Sequence, residues 1–285
     1  MAIPREGLSL IIPEFLSDCG FACDVTGPGT LQIITFRGCK FTAKDLRERP
    51  TVTDQYSDVM LAFGIKSGGQ RFLECFRASA RPGDYWVRHR DYRGPSAGCP
   101  TLQPGQYLYQ RGDHRGHQAM IQAAQVCQVR DYDQDGRTDP NEALTPTYDR
   151  WRGTNIHAAT TINVGASSSG CQVIAGGWGG APWQTFHSLV YKAAGNQDLF
   201  RYTVVDYAMF CTWWNAPQDD KPQWIMYGSR GDDVLDEQEH LVLNGYLARN
   251  AVTGTWGPDT DIAWRRYQRK AQRMQVPDGI KRVVE

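Results

Sequence analysis

Apolar residues along the chain fall mostly in short runs broken by turn residues, a pattern that predicts strands rather than long helices. The runs at 8–12, 31–36, 58–63 and 71–76 hold five or six residues each. The last two flank Ser67-Gly68-Gly69-Gln70, so they are expected to pair as a hairpin. Further turn signals stand at Arg81-Pro82-Gly83-Asp84 and Gln103-Pro104-Gly105, and residues 125–130 read as another strand. Thr42-Ala43-Lys44-Asp45-Leu46 has the Thr-x-x-Asp spacing of a helix start. Near the C terminus the period changes to that of helices, over residues 235–247 and 261–271. Pro258-Asp259-Thr260 starts the second, which carries an apolar stripe (Ile262, Ala263, Trp264, Tyr267) and a basic face (Arg265, Arg266, Arg269, Lys270, Arg273). The pattern predicts a mainly β body over 51–215, preceded by a segment of unassigned role at 1–50 and followed by a linker and a small all-α unit at 216–285.

Composition supports this and removes some functions. Twenty-nine glycines and fifteen prolines favour strands and loops over a helical bundle. Lys+Arg and Asp+Glu both total 31, so no net charge draws the chain to nucleic acid or an anionic membrane. No stretch approaches the roughly 20 apolar residues of a membrane span. The run 8–12 is broken by Pro13 and Glu14 without a cleavage site after it, so synthesis in the cytosol without a signal peptide is expected. Eight cysteines lack a paired Cys-x-x-Cys framework, so mostly buried, reduced thiols are expected.

Two stretches carry chemistry. His157 precedes Cys171 by fourteen residues, and the cysteine follows Ser169-Gly170 in a turn. A thiol nucleophile needs a base in reach and N–H donors for the developing oxyanion, which a Ser-Gly-Cys turn can offer. The expected roles are Cys171 as nucleophile, His157 as base and, as imidazolium, partner of the thiolate. The N–H groups of Gly170 and Cys171 serve as oxyanion donors, and Ser169 orients His157 or holds the turn. In the second stretch, Asp131, Asp133, Asp135, Arg137, Asp139 and Glu142 occupy positions 1, 3, 5, 7, 9 and 12 around Gly136 at position 6. That is the spacing of a calcium loop, and equally of a solvated acidic turn. Any calcium there is structural; catalysis needs no cofactor. The tryptophans 178, 183, 213 and 214 are expected to pack rather than to stack on sugars.

These residues resemble a known family. His157 with Ser169-Gly170-Cys171 is similar to the histidine and Ser/Thr-His-Gly-Cys of L,D-transpeptidase catalytic domains, and more closely to a divergent branch in phage and bacterial cell-wall proteins. Ala80-Arg81-Pro82-Gly83-Asp84-Tyr85-Trp86, Leu102-Gln103-Pro104-Gly105-Gln106-Tyr107, Asp113-His114-Arg115-Gly116 and Asn155-Ile156-His157 extend the resemblance in order. The motif's second histidine is replaced by Ser169. The resemblance implies a β-sandwich, His114 and Tyr107 as substrate-binding residues, and attack of Cys171 on a peptidoglycan stem peptide. A thioester would form with departure of a terminal D-Ala, and its acyl group would pass to an amine or to water. The C-terminal Thr253-Gly254-Thr255-Trp256-Gly257-Pro258-Asp259-Thr260, followed by Ala263, Tyr267 and Gln268, resembles the small helical peptidoglycan-binding domain. A non-catalytic peptidoglycan-binding component of a phage tail or injection particle is the alternative. In either case the site of action is the cell wall, reached by lysis or delivery, or the virion itself.

Overall fold

The computed structural model describes residues 1–89, 98–149 and 154–283. In chain order it begins with β1 (Ala2–Pro4), helix α1 (Leu8–Asp18), β2 (Thr30–Arg37), β3 (Cys39–Phe41), β4 (Asp45–Glu48) and the hairpin of β5 (Asp58–Ile65) and β6 (Arg71–Ser79). Then come α2 (Asp84–Arg88), β7 (Cys99–Leu102), the hairpin of β8 (Gly105–His114) and β9 (His117–Gln122), β10 (Val126–Asp131), α3 (Pro140–Leu144) and β11 (Thr147–Asp149). β12 (Ile156–Ala159), β13 (Gln172–Ala175), α4 (Ala181–Ser188), β14 (Leu199–Asp206) and α5 (Tyr207–Asn215) follow. The chain finishes with β15 (Gln223–Ile225), α6 (Asp232–Leu243), α7 (Pro258–Lys270) and β16 (Lys281–Val283).

Eight strands close into a barrel in the order β12-β13-β6-β5-β2-β14-β8-β9. The pairs β12/β13 and β2/β14 are parallel. The mainly-β expectation is met, but the sheet closes on itself instead of dividing into the two layers of a sandwich. Strand alternation explains the core. Leu31, Ile33, Met60, Ala62, Phe76, Tyr109, Tyr202 and Val204 point inward. Their neighbours Ile34, Phe36, Val59, Leu61, Phe63 and Val205 point outward, under α1 and α5. Both faces of β5 are therefore buried, which is why its sequence reads as an unbroken apolar run. On this outer face Phe15, Phe36 and Phe210 meet with ring centroids 5.1 and 4.7 Å apart.

Two local expectations fail for identifiable reasons. The run at 8–12 is helical, not extended: Leu8, Ile12, Phe15 and Leu16 are spaced to bury one helical stripe, even with Pro13 inside the helix. The Thr-x-x-Asp motif makes a turn between β3 and β4 instead of a helix start. Its Thr42 hydroxyl bonds the Asp45 carboxylate at 2.6 Å and accepts the Asp45 N–H at 3.1 Å. No disulfide joins the eight cysteines, and six of them are buried.

The C-terminal helices lie where the sequence placed them, but their apolar face does not stand apart from the barrel. Val234, Leu241, Trp256, Ala263 and Trp264 share one core with Tyr107, Cys127 and Ile225. Arg265 leaves the expected basic face altogether. It and Asp261 are each 1% exposed and paired Nε to Oδ2 at 2.8 Å. The guanidinium also donates to the carbonyls of Ala143 and Pro277, while Tyr148 Oη donates to Asp261 at 2.7 Å. α7 is thus tied to α3, to β11 and to the final segment. Removing one partner of such a pair strands the other charge in the core. Arg265→Ala should lose about 3–5 kcal/mol of unfolding free energy in urea, against about 0.5 kcal/mol or less for Arg266→Ala on the exposed side. Equal losses would show that the buried pair does not hold the helix.

Candidate active site

β12 and β13 run parallel with Ile156 opposite Gln172 and His157 opposite Val173. Residues so paired project to the same face. Ile156, Ala158 and Ile174 therefore enter the barrel core. His157 and Val173 face outward, as does Cys171 one residue before β13. Outside the barrel Cys171 and Val173 cluster with Tyr56, Ala159 and Val164. His114 arrives at the end of β8, through a two-residue turn in which Arg115 and Gly116 both have positive φ (54° and 83°). Asp113 Oδ1 closes that turn by accepting the Gly116 N–H at 2.8 Å. One ring nitrogen each of His114 and His157 and the Cys171 Sγ lie within 4.8 Å of one another. The structure thus brings His114 to the His157–Cys171 pair that the sequence had already joined.

The hydrogen bonds settle where the ring protons sit. His157 Nδ1 lies 2.8 Å from the Ala158 carbonyl, which can only accept, so Nδ1 carries the proton. Nε2 is left with a lone pair, buried and without a partner. With the residue 5% exposed, burial pushes the His157 pKa down to about 4. The Ala158 hydrogen bond opposes the shift, and the charges of His114 and Arg115 add to it. The imidazolium expected from sequence is therefore not the resting form; His157 is a neutral base. For His114 the logic reverses. Asn155 Oδ1 accepts the Gln122 N–H at 3.2 Å, so its amide nitrogen meets His114 Nδ1 at 2.9 Å. Nδ1 is then an acceptor, and the neutral His114 ring bears its proton on Nε2. Its pKa is lowered too, by burial and then by Arg115. One imidazole supplies a lone pair and the other an N–H. Two imidazoles and a thiol are also a zinc-type donor set, but in this tautomer neither His114 nitrogen has a lone pair to give.

The thiol turn differs from expectation in its detail. Gly170 has φ 136°, and a Cβ there would fall 2.6 Å from Pro100 Cγ, so the position accepts only glycine. Its N–H, expected as an oxyanion donor, instead donates to Ser168 Oγ at 3.1 Å. Ser168 Oγ in turn donates to the Cys171 carbonyl at 2.7 Å. Ser168 thus holds the turn, and the Ala158 carbonyl orients His157; Ser169, the residue offered by the sequence for either role, is half-buried beside them. The structure does not bring Tyr107 to this cluster. It lies seven residues before His114 on β8, roughly 23 Å along the strand. There it is buried, donates to the Gln103 carbonyl at 2.8 Å and stacks on Tyr227.

Trp178 packs against the core, as expected, and also borders the site, which the sequence reading did not assign. It stacks 5.8 Å from His157 on one side and 4.3 Å from His117 on the other, while His114 lies 4.4 Å from His157 at 12°. The signal was its setting, Gly176-Gly177-Trp178-Gly179-Gly180, a glycine-rich loop directly after the thiol strand. Trp183 and Trp213 are core residues, as expected.

In the acidic loop, carboxylate oxygens of Asp131, Asp133 and Glu142 lie within 4.8 Å of one another. Asp139 is spent elsewhere, capping α3 by accepting the N–H groups of Asn141 and Glu142. Asp135 Oδ1 accepts the Arg137 N–H at 2.7 Å, and neither residue joins the cluster. Burial foremost, then the charge of Glu142, raises Asp131 to about 6 against the pull of two backbone N–H groups, and Glu142 is raised as well. No protein-family model, curated protein or solved structure matches the chain. Among the described residues no helix is long and apolar enough to cross a membrane.

We propose that Asp131, Asp133 and Glu142 are the ligands of a structural calcium ion. Millimolar calcium should then raise the melting temperature of the wild type by a few degrees and leave Asp133→Asn unchanged. No shift in the wild type would make the loop a solvated turn.

Proposed function

We propose that the protein is a peptidoglycan-active cysteine enzyme of L,D-transpeptidase type. The observation that supports this best is the His157 ring, anchored at Nδ1 by Ala158 and bare at its buried Nε2, with a ring nitrogen within 4.8 Å of Cys171 Sγ. In this reading His157 Nε2 takes the thiol proton as sulfur attacks a stem-peptide carbonyl carbon. The oxyanion that forms is met by the His114 Nε2–H and the Cys171 N–H. His157 then passes the proton to the leaving amine, and the thioester and a free terminal D-Ala result. An amine or water attacks the thioester next, His157 accepts its proton, and the thiol is regenerated. The C-terminal helices, with Arg266 and Lys270 exposed, would hold the enzyme on the wall and raise its effective concentration there. The chain would reach that substrate after lysis or delivery, or as part of a virion.

One observation favours the non-catalytic alternative, a wall-binding part of a phage tail or injection particle. Cys171 and His157 are only 7% and 5% exposed, and the Gly170 N–H is already engaged. Digestion of purified sacculi by the wild type and by Cys171→Ala, read by muropeptide mass spectrometry, separates the two. The enzyme reading expects cross-links made or cut, or tetrapeptides trimmed to tripeptides, falling at least about a thousandfold in the variant. Sedimentation of both proteins with unchanged sacculi would establish the binding role instead.

A further inference from the structure

Beside the thiol turn lies a cavity of about 90 Å³, walled by residues 51–55, the end of β6 and the acidic loop. A single water needs roughly 10–15 Å³ on the same measure, so this space accepts a carboxylate with its adjoining carbon. Its walls offer Arg81, Thr51, Thr53, Gln55, Ser79 and Thr101. Arg81 is the unusual member: its Nε is fully buried and has no hydrogen-bond partner. By contrast Arg37 is answered by Asp206 at 2.8 Å and Arg265 by Asp261.

The carboxylates around Arg81 are committed elsewhere. Asp58 accepts the N–H groups of Gly38 and Ala80 at 2.9 and 2.8 Å, and Asp206 holds Arg37. Of the two acids on the cavity wall, Asp54 accepts the Gly165 and Asp84 N–H groups, and Asp131 those of Asp135 and Gly136. Burial, then the neighbouring Arg37, pushes the Arg81 pKa down, with Asp58 and Asp206 opposing. A buried guanidinium Nε–H left without an acceptor is costly to the fold, and a planar oxyanion is the ligand the fork matches.

The cavity adjoins the site by direct contacts. Ser79 is paired with Val173, and the Gly83 N–H donates to the Ser168 carbonyl at 2.8 Å. Pro100, next to Thr101, abuts Gly170, and Tyr56, next to the 51–55 wall, packs in the Cys171 cluster. We propose that this cavity is a carboxylate-binding subsite in which Arg81 receives the free carboxylate of a peptide's terminal residue. Its use in positioning the residue that leaves on thioester formation rests on the acyl-transfer reading; the binding does not.

The test titrates the full chain carrying Cys171→Ala, which cannot turn over, with N-acetyl-D-alanine and with its amide, by calorimetry or NMR. Saturable binding of the acid, at least about tenfold tighter than the amide, supports the subsite, as does its loss in Arg81→Gln on the same background. Equal binding of acid and amide, saturation by neither up to tens of millimolar, or a folded Arg81→Gln that binds as before overturns it. So does Arg81-dependent binding of inorganic phosphate without binding of the acid. The acid-against-amide comparison needs no change at Arg81, so a misfolded variant leaves it decisive. Acid-selective binding with inert sacculi would keep the subsite and reject the acyl-transfer reading. Active wild type on sacculi without acid preference would do the reverse.

Discussion

The site depends on a four-residue strand. β12 closes the barrel, parallel to β13 on one side and joined to β9 on the other through Ile156 opposite Met120. A parallel pair needs a crossover of a dozen or more residues, and here residues 160–171 provide twelve with no α-helix among them. Tyr56 and Asp54 pin that crossover from outside: the Tyr56 hydroxyl bonds the carbonyls of Thr161 and Asn163, and Asp54 accepts the Gly165 N–H. The crossover ends at Gly170, pressed against Pro100, and so delivers Cys171 to the face where His157 already stands. Closure of the barrel and assembly of the site are one event.

Burial then sets the chemistry. Inside this wall of aromatic rings both histidines are held towards their neutral forms, and backbone and amide partners give the two rings opposite tautomers. A neutral pair suits a thiol that gives up its proton only during attack, rather than a standing thiolate–imidazolium pair. The same burial leaves the Arg81 Nε unanswered a few residues away. A buried lone pair and a buried N–H left without partners are costly to the fold, and each calls for an explanation beyond packing.

Much of this was legible in the sequence. The 58–63 and 71–76 runs form the β5–β6 hairpin, and His157 and Cys171, read together as base and nucleophile, stand on and just before two adjacent strands. Barrel closure was not legible, because strand alternation looks alike in a sandwich and a barrel, and one residue pair between β9 and β12 decides the matter. Arg265 read as a surface cation because its buried carbonyl partners at 143 and 277 lie outside the helix, although Asp261 four residues earlier was in view. The roles of Asn155 and Ala158 were hidden for a different reason: Asn155 stood in a motif that did not say what its amide bonds, and Ala158 acts through its backbone carbonyl, which no side chain announces.

The central claim is the division of labour between the two imidazoles, and long-range proton–nitrogen NMR correlations of the histidine rings across a pH titration test it most directly. The account predicts His157 as the Nδ1–H tautomer, staying neutral until the pH approaches about 4, with His114 as the Nε2–H tautomer. A His157 ring that carries its proton on Nε2 would contradict it and remove the base from the proposed mechanism, and titration at the ordinary histidine value near 6.5 would contradict the burial that holds the ring neutral.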